Sequence, residues 1–167
     1  MSDAGRTLSR PSVDSRAYDG MRDVARPRIL LVGGNPPIAA MVTEHSQCGG
    51  RYEIESAAFC DQALAMLPLR RFDLVLILSL HVPWTIWPRS YSSEWRADLM
   101  NAILLLKHMR TLPSPPPVIL LSGTALAAVK DEALAGGAFA FIPKPVALAE
   151  LDRFVLLALE SQKRQPI

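Results

Sequence analysis

Hydrophobic positions in this chain gather in short, nearly continuous runs at Ile29-Leu30-Leu31-Val32, Phe72 to Leu78, Val118 to Leu121 and Phe139 to Ile142, and Tyr52 to Phe59 reads as a further strand. Apolar runs of this length, bounded by Gly, Pro or Asp, predict strands buried on both faces. Between them, apolar residues recur at helical spacing. Pro36 and Pro37 suit the first turn of a helix running to about Gln47 and stopped by Gly49-Gly50. Ala63, Leu64, Met66 and Leu67 place a second helix over Asp61 to Leu69, and Leu99, Ile103, Leu106 and Met109 form the buried stripe of a third over residues 95–111. A fourth spans Ala125 to Leu134 before Gly136-Gly137, and a fifth runs from Leu148 to about Gln162. Strands alternating with helices predict an α/β fold, a doubly wound five-stranded parallel sheet with helices on both faces. Parallel neighbours need helical crossovers of right-handed sense.

Two segments stand apart from this pattern. Residues 1–26 are mostly Ser, Arg, Asp, Ala and Gly with no periodicity, so a disordered leader is expected, followed by one domain over residues 27–163. Between the third strand and third helix lies an irregular stretch holding Pro83 and Pro88. It carries an aromatic-rich insertion at about residues 84–98, with Trp84, Trp87, Tyr91 and Trp95. Loops this long are uncommon unless functional or disordered.

Composition narrows the function classes. Half of the residues are hydrophobic and a fifth charged, enough for a core, and the formal charge of +2 is too small and too dispersed for a nucleic-acid partner. Apolar runs fall far short of the roughly 20 residues of a membrane span. The N-terminus lacks the apolar core of a signal peptide, so no membrane association and a cytoplasmic location are expected. Cys48 and Cys60 form no Cys-x-x-Cys pair and are expected as reduced thiols. His45, His81 and His108 lack metal-ligand spacing, and no metal or other cofactor is expected. Gly33-Gly34-Asn35-Pro36-Pro37 lacks the features of a P-loop or dinucleotide site. Neither Ser79 nor Ser122 sits in a nucleophile elbow, and no enzyme activity is expected.

Five fragments in order carry a family resemblance: Phe72-Asp73-Leu74-Val75-Leu76 leading to Leu80-His81-Val82-Pro83; Asn101 to Arg110; Val118 to Gly123; and Gly137 to Phe141 followed by Ile142-Pro143-Lys144-Pro145. Together they resemble the CheY-like receiver domain of two-component response regulators, over roughly Arg28 to Gln162. The resemblance implies a flavodoxin-like strand order 2-1-3-4-5, with the site at the carboxyl ends of the strands. It implies Ser122 as switch hydroxyl, Phe141 as switch aromatic, Lys144 as the phosphate-contacting lysine, and a cis Lys144-Pro145 bond. Core packing for Phe141 and a backbone-bonded hydroxyl for Ser122 are the plain structural alternatives.

The departures from the family pattern fall on its chemistry. Gly33 and Gly34 stand where receivers carry the acidic pair that holds Mg²⁺ with hard oxygen ligands. Ser79 stands at the phosphoacceptor aspartate. A carboxylate is an ionised nucleophile at neutral pH, whereas a serine needs a base. What this implies is a pseudo-receiver acting without phosphorylation, as a regulatory protein–protein interaction module in two-component-type signal transduction. Its partner is expected to be a histidine kinase or another signalling protein. With the sequence ending at Ile167, no output domain is expected to follow. Trp84, Trp87, Tyr91 and Trp95 are candidate partner anchors, or else a cap over the empty site. Leu151, Phe154, Val155, Leu156, Leu157 and Leu159 make the last helix more apolar than one buried face requires, which suggests a homodimer through the strand 4–helix 5 face. Two alternatives stay open: a sensor of a small ligand or anion held by Gly33, Gly34, Ser79, Ser122 and Lys144, and a receiver phosphorylated at a residue other than Asp, Ser79 first among them.

Overall fold

The computed structural model describes residues 25–33, 36–48, 51–78, 94–123 and 127–164. Gly34, Ser79, Trp84, Trp87, Tyr91 and all but the last two residues of the expected leader lie outside them, as do most of the aromatic insertion and the side chain of Trp95. Ten elements follow in chain order: β1 (Arg28–Gly33), α1 (Pro36–Cys48), β2 (Glu53–Ala57), α2 (Cys60–Met66), β3 (Leu74–Leu78), α3 (Glu94–Met109), β4 (Val118–Ser122), α4 (Ala127–Ala135), β5 (Ala140–Pro143) and α5 (Leu148–Lys163). The strands form one parallel sheet of order β2-β1-β3-β4-β5, the expected doubly wound arrangement.

Alternation along each strand divides the core into two layers, since successive side chains leave opposite faces. Ile29 and Leu31 of β1, Leu74, Leu76 and Leu78 of β3, and Ile119 and Leu121 of β4 pack with Val42 of α1 and Leu151, Val155, Ala158 and Leu159 of α5. The intervening Leu30, Val32, Val75, Ile77 and Leu120 pack against Ala63 of α2, Ala102, Leu105, Leu106 and Met109 of α3, and Ala133 of α4. All five residues of β3 and of β4 are buried, which explains why these strands read as continuous apolar runs.

Element ends differ from the sequence expectation where side chains intervene. Strand β2 stops at Ala57, not Phe59, because Phe59 takes the extended N-cap position of α2. Strand β3 starts at Leu74, not Phe72. The Asp73 carboxylate accepts the Arg28 backbone N–H at 2.7 Å, while the Asp73 N–H donates to the Arg28 carbonyl at 2.8 Å, so this pair closes the lower edge. Helix α4 ends as expected at Gly136-Gly137. Gly137 adopts φ of 101°, and the Ala138 N–H turns back to the Ala133 carbonyl at 3.0 Å. No described helix is long and apolar enough to cross a membrane.

Candidate functional site

Sheet register brings the strand ends into line. Gly33 pairs with Leu78, Leu78 with Leu121, and Ser122 with Pro143, so the last residues of β1, β3, β4 and β5 share the carboxyl edge of the sheet. Ligands of open α/β sheets bind outside this edge. Gly33 and Ser122 lie along this edge on either side of β3, and Lys144 follows directly after β5.

Gly33 has φ of 72°, the left-handed region that side chains disfavour. A Cβ built there would lie 3.0 Å from the Leu78 carbonyl oxygen. The end of β1 thus approaches the backbone of β3 so closely, and in such a conformation, that a glycine is what fits.

Ser122 is 1% exposed and is the buried polar residue of the described core. Its carbonyl accepts the Lys144 N–H at 2.8 Å, which anchors the turn after β5 to the end of β4. The Lys144–Pro145 bond is cis, as the resemblance implied. Lys144 is half-buried, and burial pushes its ammonium pKa below the ordinary lysine value, since desolvation penalises the charged form. Phe141 is half-buried and packs on the α2–α3–α4 side of the sheet, which agrees with its core-packing reading.

The helix start beside Gly33 is a poor donor. Helix α1 begins with Pro36 and Pro37, so its first two positions carry no N–H where other helices offer unpaired donors to an anion. Among the described residues, no three His, Cys, Asp or Glu side chains gather where they could hold a metal ion. The described end of β1 and β3, Gly33 beside Leu78, supplies no carboxylate, so these residues do not fit the hard oxygen shell that Mg²⁺ demands.

A second polar cluster escaped the sequence reading. His45 of α1 bonds Asp152 of α5 at 2.7 Å over a separation of 107 residues, with Tyr52 nearby. No local spacing signals a contact made only by tertiary packing.

Solved structures place the fold. A receiver domain protein (CheY-like) from Methanospirillum hungatei JF-1 is 25% identical, covers 85% of this chain and 100% of its own, and superposes with a TM-score of 0.67. The signal receiver domain of an HD domain-containing protein from Pseudomonas fluorescens Pf-5 is 26% identical, covering 84% of this chain and 100% of its own with a TM-score of 0.64. The chain carries a CheY-like receiver domain. Receiver domains are signalling modules that work with histidine kinases and other regulatory proteins. The receiver domain of a sensor histidine kinase from Pseudomonas aeruginosa PAO1, 22% identical with a TM-score of 0.63 over 81% of this chain and 99% of its own, holds a magnesium ion coordinated in its active site cleft. By sequence, the receiver domain matches the regulatory protein AtoC of Escherichia coli (strain K12) at 37% identity over 84 residues. That match spans 50% of this chain and 18% of the relative. No family model matches the chain.

Proposed function

We propose that this receiver domain works without aspartyl phosphorylation, as a regulatory module that binds a protein partner in two-component-type signalling. One observation carries the proposal. Gly33, at the position the family resemblance assigns to the acidic pair, has a left-handed backbone and a would-be Cβ 3.0 Å from the Leu78 carbonyl. Loss of a carboxylate by substitution alone would leave a backbone ready to take it back. Here the backbone conformation itself favours glycine, which supports a site adapted to having no metal-binding side chain. Without a metal, little would neutralise the charge of a transferring phosphoryl group.

The test is titration of the full chain with Mg²⁺ and beryllofluoride, or with acetyl phosphate, followed by two-dimensional NMR. No shifts at Gly33, Ser122 or Phe141 are expected. Saturable shifts there would restore a phosphorylation switch. The expected homodimer through the β4–α5 side draws support from Leu156 and Leu157, 42% and 46% exposed on α5. Sedimentation at micromolar concentration should show self-association, and a clean monomer would count against it.

A second reading, a small-anion sensor, draws on Lys144, whose half-buried ammonium a bound anion would stabilise. The proline start of α1 weighs against it. A melting temperature that does not move with phosphate or sulfate would remove that reading. Phosphorylation of Ser79, a residue outside the described set, would give an acid-stable phosphoserine rather than a labile acyl phosphate.

A further inference from the structure

Away from the strand ends, the seam between α1 and α5 holds a polar cluster inside an otherwise apolar layer. His45 Nε2 and Asp152 Oδ2 lie 2.7 Å apart across the seam, both partly exposed. Beneath them is Tyr52, in the segment leading into β2. Tyr52 is 7% exposed, and its hydroxyl is enclosed with no hydrogen-bond partner in the protein. Neighbouring Arg51 acts on this hydroxyl electrostatically without reaching hydrogen-bond geometry, and the Asp152 charge also reaches it. Buried hydroxyls are rarely left unsatisfied, because desolvation is then uncompensated.

The same three side chains line a small cavity whose remaining walls include Leu31, Leu151 and Val155. Its space open to the centre of a water molecule is about 10 Å³. That is close to the least that holds one water, and far too little for an organic ligand. An all-apolar cavity of this size would stay dry, whereas a water needs two to four polar partners. Two are available here, a phenol that can donate and a carboxylate with lone pairs beyond the one facing His45.

We propose that this cavity is a binding site for one structural water, which accepts the Tyr52 Oη–H and donates to the Asp152 carboxylate. Asp152 is then the centre of a node: His45 fixes it from α1, and the water links it to Tyr52 at the approach to β2. The node ties three segments between which the described residues show no backbone hydrogen bond. It is independent of the strand-end site and of any phosphorylation reading.

The experiment pairs water-selective nuclear Overhauser spectra of the full chain with thermal melting of Tyr52→Phe, Asp152→Ala and the double variant. With the water present, water cross-peaks reach the Tyr52 ring and the Val155 methyls. Tyr52→Phe then lowers the melting temperature by roughly 2–4 °C, and by clearly less in the Asp152→Ala background. The proposal is overturned if those cross-peaks are missing and Tyr52→Phe melts higher than the parent, because the hydroxyl would then be an unpaired burden that phenylalanine removes.

Discussion

Substituting Gly33 by alanine tests the physical basis of the functional proposal directly. In the left-handed region an L-residue costs about 1–2 kcal/mol, because Cβ crowds the following carbonyl. At φ of 72° Gly33 lies inside that region, and the new Cβ would also meet the Leu78 oxygen at 3.0 Å. That oxygen is backbone in the central strand, with buried residues throughout, and cannot swing aside as a side chain could. Against this, alanine narrows the unfolded ensemble, an offset of about 0.4–1 kcal/mol. With the contact included, a net loss of about 1–2 kcal/mol is expected for Gly33→Ala, a fall in melting temperature of roughly 3–6 °C for a domain of this size. Differential scanning calorimetry and urea unfolding both read it, and an unchanged urea m-value would show that stability changed without a change in the compactness of either state. Gly33→Asp should lose at least as much stability and gain no Mg²⁺-dependent stabilisation. An alanine variant as stable as the parent would refute the reasoning: the end of β1 would then accept a side chain, and the missing carboxylate would be an ordinary substitution.

Leu76, 1% exposed in the middle of β3, should cost about 2–5 kcal/mol on substitution by alanine, as large-to-small changes in a closed core do. Leu157→Ala on the exposed side of α5 should stay within about 0.5 kcal/mol in a monomer. Chemical denaturation compares the two. Lys144 gives a pH dependence whose sign is fixed by burial. Its folded pKa lies below the 10.5 of an exposed lysine, so the unfolded chain binds more protons between the two values. The Lys144 contribution is therefore full above about 10.5 and is lost as pH falls through the folded pKa. Urea midpoints of the parent should rise with alkaline pH relative to those of Lys144→Met. Tyr52 acts oppositely, since burial and the Asp152 charge raise its pKa above 10.0, and its contribution fades only as pH climbs through that raised value.

The sheet was legible because both of its faces are covered. Burial on two sides turns β1, β3 and β4 into unbroken apolar runs, and Pro36-Pro37 and Gly136-Gly137 mark where α1 starts and α4 stops. Strand ends were less legible. Phe72 and Asp73 look like strand, but the Asp73 carboxylate takes the Arg28 amide and postpones the ladder to Leu74. Gly33 was legible only as a missing acid. Its positive φ and its closeness to Leu78 depend on pairing between β1 and β3, which no local pattern encodes. The His45–Asp152–Tyr52 cluster was invisible for the same reason, with 107 residues between its first two members.

Residues that match the family pattern say less about function than Gly33, which departs from it. Ser122 and Lys144 are joined through the backbone, Lys144 N–H to Ser122 carbonyl, so that bond survives whatever the side chains do. Phe141 packs on the core between sheet and helices, where an aromatic ring contributes burial whether or not it ever rotates. The Ser122–Lys144 backbone bond and the packing of Phe141 would be the same in a working switch and in a scaffold. Gly33 bears on that choice through its backbone conformation. A switch needs a ligand that binds one conformation better than another. Around Gly33 the described strand ends offer a glycine backed against a carbonyl and a helix whose first two positions have no N–H, which leaves Lys144 after β5 as the cationic group of this edge that the described residues show. On the reading proposed above, a receiver built this way lacks the usual source of its population shift. Regulation would then enter through the partner that we propose binds its surface.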